Sequence, residues 1–243
     1  MNKDLIRKRF TKNLKTYNEN ANIQKQMAEK LVSYLPSKYY DKILEIGCGT
    51  GILTNIAAKN LNFKTYTAND IVPECEYYIT GINKNINFVQ SDIENYINNT
   101  NEKFDLIFSN ATFQWIENLE DFIKKLLSHL NHNGTLIFST FGKENYREIY
   151  HVLGKTLKYY SIKELQSMFS EYIELAEEEI RISAFKTPID VLKHIKYTGV
   201  NALTSEVWTK KDLYNFENGY NNFCSNRPTL TYNPIYIKLI NKN

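Results

Sequence analysis

The chain of 243 residues has only three cysteines, at positions 48, 75 and 224, and their spacing matches no metal-binding pattern. An odd number of cysteines argues against a disulfide framework and favours a reducing compartment, so we expect a cytoplasmic protein without a metal site. No stretch approaches the roughly 18 uncharged apolar residues that a membrane span requires. The opening segment M-N-K-D-L-I-R-K-R-F lacks the uninterrupted apolar core of a secretory signal. We therefore expect neither a membrane segment nor secretion.

Signatures of nucleic-acid recognition are also missing, since the chain has no zinc-finger, RRM or KH pattern and no repeat. We expect no nucleic-acid partner. The formal net charge is only +3, but it is unevenly distributed. Basic side chains crowd the first fifteen residues: Lys3, Arg7, Lys8, Arg9, Lys12 and Lys15. Such a run either meets an acidic partner or forms a solvated helix face.

The most informative segment is residues 42–51, K-I-L-E-I-G-C-G-T-G, in which an apolar strand runs into a loop with three alternating glycines. A backbone that turns sharply and approaches a ligand closely has no room for Cβ atoms, which favours glycine. A helix-like stretch follows at residues 52–60, and the start of a helix offers free N–H groups. This pattern is typical of one half of a nucleotide-binding βαβ unit.

The spacing of the glycines distinguishes between ligands. A dinucleotide site has G-x-G-x-x-G and places a pyrophosphate on the helix N-terminus. This chain has E-x-G-x-G-x-G, with Glu45 two residues before Gly47. A carboxylate there would repel a phosphate and would suit a ligand that carries an ammonium and a sulfonium. The segment resembles the first motif of the class I S-adenosylmethionine (SAM) methyltransferases; the alternative is a glycine-rich turn without a ligand.

Four further strands are predicted downstream, at residues 63–69, 86–90, 104–110 and 134–141. Polar side chains lie at or just after the ends of three of them: Asp70, Asp92 and Asn110. Open α/β sheets bind ligands at the carboxyl ends of their strands, and an acid about twenty residues past the glycines accepts ribose hydroxyls. Each of the three could be an ordinary cap or turn residue, but their order along the chain favours a SAM site.

Helices are predicted at residues 3–34 and 121–130, and two late strands at residues 179–185 and 232–240. The resemblance implies a Rossmann-like α/β fold of the class I methyltransferases, with a seven-stranded sheet in the order 3-2-1-4-5-7-6. We expect a single domain over residues 1–243. Its expected parts are an N-terminal helical cap, a SAM-binding core, a lid inserted between strands six and seven, and a last strand, at residues 1–36, 37–185, 186–231 and 232–243.

The same resemblance implies which residues hold SAM. In the family, the acid at Asp92 and the next backbone N–H face the adenine, and Asn110 lies beside the methyl that is transferred. Cys48 is interpreted as a small side chain within the glycine loop and not as a nucleophile. The implied cofactor-binding residues are Gln24, Glu45, Gly47, Cys48, Gly49, Gly51, Asp70, Ile71, Asp92, Ile93 and Asn110.

Several motifs extend beyond the SAM core, from about residue 5 to the C-terminus. They are R-F at 9–10 followed by Tyr17 and A-N-I-Q at 21–24, S-N-A-T-F-Q-W at 109–115, F-S-T-F-G at 138–142 with Asn145 and Glu148, L-K-H-I-K-Y-T-G-V-N-A at 192–202, and L-T-Y at 230–232. Together they resemble the malonyl-acyl-carrier-protein O-methyltransferases of biotin synthesis. S-N-x-x-x-Q-W also occurs in other small-molecule methyltransferases, so the last two segments discriminate better. Lys143 departs from the proline expected in many relatives.

The narrower resemblance implies transfer of the SAM methyl to the free carboxylate of malonyl-acyl carrier protein, the step that starts pimeloyl and biotin synthesis. A carboxylate is ionised at neutral pH and needs no general base, so catalysis reduces to alignment and exclusion of water. The candidate catalytic residues are Tyr17, His194, Asn201 and Tyr232, and the candidate substrate-binding residues are Tyr17, Gln114, Trp115, Asn201 and Tyr232. Each could instead be a packing, lid or turn residue. The basic N-terminal run would suit an acidic carrier protein.

Three other interpretations stay open. A SAM methyltransferase of another small carboxylic acid or of a quinone-type ring fits the core motifs equally well. A SAM-binding protein without transferase activity would bind SAM but have no methyl acceptor. An RNA methyltransferase fits less well, because the position after the fourth strand has N-A-T-F at residues 110–113 and not the N-P-P-[YF] tetrad of base N-methylation.

Overall fold

The computed structural model describes residues 3–36, 38–198 and 208–242 of the protein. Its helices are α1 (Lys3–Asn20), α2 (Asn22–Ser33), α3 (Ile52–Asn60), α4 (Glu76–Ile79), α5 (Ile93–Asn99), α6 (Leu119–Ser128), α7 (Arg147–Leu153), α8 (Ile162–Met168), α9 (Pro188–Tyr197) and α10 (Lys210–Phe223). Its strands are β1 (Tyr39–Ile46), β2 (Asn62–Asp70), β3 (Ile86–Gln90), β4 (Phe104–Asn110), β5 (Leu130–Phe141), β6 (Ile173–Glu178), β7 (Arg181–Ala184), β8 (Thr229–Tyr232) and β9 (Pro234–Ile240).

The main sheet has seven strands in the order β3-β2-β1-β4-β5-β9-β6. The first five strands are parallel, and β9 runs antiparallel to both β5 and β6. The predicted order, with the last strand inserted antiparallel beside the fifth, is confirmed. The order reverses between β1 and β4, which is where open α/β sheets bind their ligands.

The predicted sixth strand at residues 179–185 is wrong. The sheet strand is β6, which ends at Glu178, and the next strand, β7, pairs with β8 in a separate two-stranded sheet. The alternation that suggested a sheet strand does not correspond to burial, since Ile182 is 59% exposed. Tyr232 likewise belongs to β8, because the predicted last strand is interrupted at Asn233 and β9 begins at Pro234. Proline suits the first residue of a strand, since it has no N–H to donate.

The N-terminal helical stretch also differs from its prediction at residues 3–34, because α1 and α2 are separate helices. The chain turns between them at the buried Ala21, whose φ is −87° and ψ is 38°. The turn lets α2 pack on the sheet while α1 contacts α9, which lies in the predicted lid region.

The core lies on both faces of the main sheet. Neighbouring residues of β1 supply opposite sides, with Ile43 in one apolar cluster and Leu44 in the other. The first cluster includes Met27 and Leu31 of α2, and the second includes the buried face of α6. Burial on both faces is usual for parallel strands, and it leaves the carboxyl edge of the sheet as the place for a site. Within the described part of the chain, no helix is both long and apolar enough to cross a membrane.

Candidate functional site

A cleft opens at the carboxyl edge of β1, β2 and β4, where the strand order reverses. Its space, with the open mouth and the solvent there included, amounts to about 1270 Å³. Every predicted cofactor-binding residue except Gly51 lines it.

The glycine loop adopts the backbone that its sequence predicts. The φ angles of Gly47, Gly49 and Gly51 are +71°, +51° and +76°, and residues with a side chain rarely adopt this backbone conformation. The N–H groups of Gly47 and Cys48 both donate to the Asn69 carbonyl at 2.9 Å. Burial raises the pKa of the Cys48 thiol well above its ordinary value, with nearby acids adding to the effect. Cys48 is therefore a neutral wall residue, as its position in the loop suggested.

Asp70 anchors the loop from the end of β2. Its carboxylate accepts hydrogen bonds from the N–H groups of Gly49 at 2.8 Å and Val72 at 2.9 Å. Burial raises the pKa of Asp70, and these backbone hydrogen bonds oppose that rise. Asp70 therefore ties the glycine loop to the end of β2, and it lies on the wall of the cleft.

Glu45 lies deeper, at the end of β1. Its carboxylate accepts hydrogen bonds from the Thr54 hydroxyl at 2.6 Å and from the Tyr66 hydroxyl. Burial raises its pKa to about 7, and the two hydrogen bonds only partly oppose that rise. Its place on the cleft wall fits a cationic ligand better than a phosphate, since a cation would stabilise the ionised form.

Asp92 caps the N-terminus of α5, and its Oδ1 accepts from the N–H groups of Glu94 and Asn95. Its other oxygen accepts from Lys3 Nζ of α1 at 2.6 Å, and the same lysine pairs with Glu94. Burial is the largest single effect and acts to raise the pKa of Asp92, but the hydrogen bonds from Lys3, Asn95 and Glu94 and the charge of Lys3 together outweigh it, so the pKa falls. Lys3 therefore ties α1 to the adenine end predicted for the cleft.

Among the described residues, two buried amide oxygens in the cleft have no hydrogen-bond partner: Oε1 of Gln24 and Oε1 of Gln114. The residues are 3% and 9% exposed. The amide of Gln114 is oriented, because its Nε2 donates to the Ala111 carbonyl at 2.6 Å. Buried polar atoms are nearly always paired in native proteins, so both oxygens indicate a ligand that brings N–H or O–H donors. SAM fits this requirement, since it carries an ammonium, an adenine amine and ribose hydroxyls.

The amide of Asn110 is also fixed. Its Nδ2 donates to the backbone carbonyl of Gln24 at 2.9 Å, and its Oδ1 accepts from the Ser139 hydroxyl at 2.6 Å. Asn110 thus joins the end of β4 to α2 and to β5. This contact positions Gln24 in the cleft wall.

The predicted substrate residues separate into two groups. Tyr17, Gln114 and Trp115 line the cleft, and the Tyr17 ring packs edge-on against Phe10 at 5.1 Å. His194 and Tyr232 are not among the residues that line it. Their side chains are joined to each other, with His194 Nε2 2.6 Å from the Tyr232 hydroxyl. Tyr232 is fully buried, and a substrate role for it and for His194 stays a prediction.

Asn201 lies outside the described residues, and its predicted role stays a prediction.

Other lining residues were missed at the level of sequence. Lys3, Arg7 and Phe10 line the cleft beside Tyr17, and their spacing of four, three and seven residues is that of one helix face. That periodicity could have found them. Thr198 also lines the cleft from the end of the α9 region, and no local pattern indicated it.

Comparison with known proteins defines the class. A family model described as "Methyltransferase domain" matches residues 17–173, well over half of the chain. A putative methyltransferase from Bacillus halodurans has the same fold, with a TM-score of 0.64 at 15% identity over 90% of this chain and 100% of that one. The plantazolicin methyltransferase BpumL, solved with SAH, has a TM-score of 0.55 at 17% identity over 96% of this chain and 93% of that one. The chain is a class I methyltransferase.

A second comparison places it within that class. The malonyl-[acyl-carrier protein] O-methyltransferase of Calditerrivibrio nitroreducens is 37% identical over 233 residues, which cover 93% of this chain and 92% of that protein. The proteins of the same name from Chlorobium luteolum and Haemophilus influenzae are 36% and 32% identical. The chain belongs to the malonyl-[acyl-carrier protein] O-methyltransferase family, and the resemblance read from its motifs is confirmed.

Proposed function

We propose that the protein transfers a methyl group from SAM to the free carboxylate of malonyl-acyl carrier protein, giving the methyl ester that starts pimeloyl and biotin synthesis. Family membership over nearly the full chain carries this proposal. The cleft at the strand-order reversal supports it, because it holds buried acceptors suited to SAM and is lined by the glycine loop.

We further propose that the loop and strand ends hold SAM as their positions suggest. Asp70 would accept the ribose hydroxyls, Asp92 with the N–H of Ile93 would face the adenine, and Glu45 would favour the cationic end. Bound there, SAM supplies a methyl group on a positively charged sulfur. Gln24 and Gln114 would each accept a hydrogen bond from a donor of the bound molecules.

The residues of the chain then have to align the acceptor and exclude water. The malonyl carboxylate is ionised at neutral pH, so the reaction requires no proton to be removed before attack. It also requires no metal, because the methyl group already has a good leaving group. Phe10 and Tyr17 of α1 line the cleft, and Trp115, shortly after β4, lines it too. Residues 186–231 would form the lid that closes the acceptor side.

The carrier protein would dock on the outer face of α1. Lys8, Lys12 and Lys15 are exposed and follow the i, i+4, i+7 spacing of one helix face. Lys3 and Arg7 belong to the inner face, where they line the cleft. A row of exposed cations would attract an acidic carrier and speed its encounter with the enzyme. A cytoplasmic location stays a prediction.

The test is to incubate the purified protein with labelled SAM and malonyl-acyl carrier protein, in parallel with malonyl-coenzyme A and free malonate. We expect ester to form fastest on the carrier protein. Transfer only to free acids would keep the carboxyl methyltransferase chemistry and refute the carrier-linked substrate. SAM binding without transfer to any acceptor would refute the proposed function altogether.

A further inference from the structure

The side-chain amide of Gln114 has a fixed orientation. Its Nε2 donates to the Ala111 carbonyl at 2.6 Å, and a carbonyl can only accept, so the nitrogen and the oxygen of the amide cannot exchange places. The oxygen, Oε1, is buried and has no hydrogen-bond partner among the described residues. Since Gln114 lines the cleft, a ligand that satisfies this oxygen must bring an N–H or O–H donor.

The turn that carries Gln114 is held in place on both sides. It is a short 3₁₀ helix over Phe113–Trp115, and the buried ring of Phe113 packs against Phe138 at 4.7 Å. Ala111 has a left-handed φ of +52°, a costly conformation for alanine, and its N–H donates to the Ser139 carbonyl at 3.1 Å. The amide is therefore preorganised, and strained backbone of this kind concentrates at functional sites.

The chemistry of this amide oxygen excludes an ionised carboxylate as its partner. A carboxylate has acceptor oxygens only, and two acceptors that face each other in a buried site leave both unpaired. The malonyl carboxylate and the carboxylate of SAM both lack the donor that Gln114 requires. The ammonium, the adenine amine and the ribose hydroxyls of SAM each supply such a donor.

The order of the strands decides between these donors. Strand β4 lies beside β1, with Ser109 level with Ile46, whereas β3 lies beyond β2. Neighbouring strands are about 4.8 Å apart, so the ends of β4 and β3 are separated by about 14 Å. The adenine and the ribose are proposed to lie at Asp92 and Asp70, which follow β3 and end β2. Gln114 follows β4, at the other end of this row, where the ammonium is the donor of SAM that remains.

The glycine loop lies against the turn that carries Gln114. A Cβ at Gly47 would be only 2.3 Å from Oγ1 of Thr112, two residues before Gln114. Glu45, two residues before Gly47, is buried and lines the cleft. Its described hydrogen bonds come from two hydroxyl groups. This end of the cleft is therefore rich in acceptor oxygens, which suits a cationic donor.

We propose that Gln114 binds the ammonium of SAM, with its Oε1 accepting one N–H, and that it makes no contact with the malonyl carboxylate. The inference rests on the placement of SAM in the proposed function, and it assigns Gln114 to the methyl donor and not to the methyl acceptor. SAM keeps its ammonium when the methyl leaves, so the product SAH would keep the same contact.

The test compares two ligands by calorimetry: SAH, and the SAH analogue in which hydrogen replaces the amino group. Gln114→Met keeps the length of the side chain and removes the acceptor. Gln166→Met is the matched control, because Gln166 of α8 is exposed and is not among the residues that line the cleft. For Gln114→Met we expect the Kd for SAH to rise about tenfold to a hundredfold, as for the loss of a hydrogen bond to a charged group. The Kd for the analogue should stay unchanged, and Gln166→Met should match the wild type for both ligands.

Two outcomes would overturn the inference. An equal rise in both Kd values would show that Gln114 only shapes the cleft, and an unchanged Kd for SAH would place its donor on the methyl acceptor. If Gln114→Met does not fold, Gln114→Asn gives the same comparison with an amide that is one methylene shorter. Both ligands bind without turnover. A wild type that binds SAH but methylates no carrier protein would therefore refute the proposed function, while the comparison of Kd values would still decide this inference.

Discussion

Gly47→Ala is the sharpest single test of the glycine loop. A Cβ at residue 47 would lie 2.3 Å from Thr112 Oγ1 and 2.6 Å from Thr112 Cγ2. Thr112 cannot turn away without cost, because its hydroxyl donates to the Asn110 carbonyl at 3.2 Å. The loop would therefore have to shift, and it would carry with it the N–H groups that bond to Asn69.

The size of the effect follows from two separate costs. A left-handed backbone costs an L-residue about 1–2 kcal/mol, and overpacking a filled site costs about 1–3 kcal/mol. Gly81 provides a matched control, since its φ is +87° and nothing lies within 4 Å of its Cβ position. Gly81→Ala should lower the free energy of unfolding by about 1–2 kcal/mol, and Gly47→Ala by about 2–5 kcal/mol.

Equilibrium urea denaturation measures both stabilities, and calorimetry measures the Kd for SAM. Gly47→Ala should weaken SAM binding, whereas Gly81→Ala should leave it unchanged. The double variant Gly47→Ala with Thr112→Ala should recover the stability lost to overpacking. The cost of the left-handed backbone at residue 47 should remain. The reasoning is refuted if Gly47→Ala is no less stable than Gly81→Ala and binds SAM with wild-type affinity.

Three further predictions concern charged groups. Burial raises the pKa of Glu45 from 4.5 to about 7, so between these values the folded protein binds more protons than the unfolded chain and its stability falls as pH rises. The free energy of unfolding falls by about 3 kcal/mol over this pH range. Glu45→Gln should remove this pH dependence when stability is measured by urea denaturation at several pH values. An unchanged pH dependence would contradict the raised pKa of Glu45. Asp70→Ala should cost SAM binding about 1.5–3 kcal/mol, the range for hydrogen bonds to a charged group, and wild-type affinity by calorimetry would place the ribose elsewhere. Reversing the charges of Lys8, Lys12 and Lys15 should raise the KM for malonyl-acyl carrier protein at low salt and leave the KM for malonyl-coenzyme A unchanged. An equal rise in both KM values would contradict a role of these lysines in docking the carrier protein.

The parts of the fold that could be predicted are those that local sequence encodes. The glycine loop needs a positive φ at Gly47, Gly49 and Gly51, and glycine is the residue that adopts a positive φ without a steric cost. The central strands β1, β4 and β5 each contain a continuous buried stretch, so they appear as apolar runs. Asp70 and Asn110 were found because the carboxyl ends of such strands are fixed points in the topology.

The sixth strand was predicted wrongly because the apolar pattern of the sequence does not match the burial of its side chains. Strand β6 has the sequence I-E-L-A-E-E and lies at the edge of the sheet, where its carboxylates bind polar side chains of other elements, so its pattern is weakly apolar. The more regular alternation at residues 180–184 belongs to β7, where Ile182 is exposed. Which of the two segments joins the main sheet depends on the strand it pairs with. Such pairing is a long-range property that the alternation of apolar residues does not indicate.

Residues of the site that depend on distant contacts were equally hidden. Thr198 reaches the cleft only because α9 packs against α1. The contact between Lys3 and Asp92 spans 89 positions in the chain. In each case the chemistry depends on tertiary packing, whereas the strand-end residues need only the order of elements.

The basic N-terminal run shows how secondary structure changes the meaning of a charge cluster. In the sequence it is one cluster with two possible explanations, an acidic partner or a solvated face. On a helix with 100° per residue it divides, because Lys3 and Arg7 lie on the face that carries Phe10 and Tyr17 into the cleft, and Lys8 lies about 140° away from Lys3. Lys3 on the inner face pairs with Asp92. Lys8, Lys12 and Lys15 on the outer face are exposed, so their charges can be reversed without changing the inner face, and the proposed carrier docking can be tested separately from the proposed SAM binding.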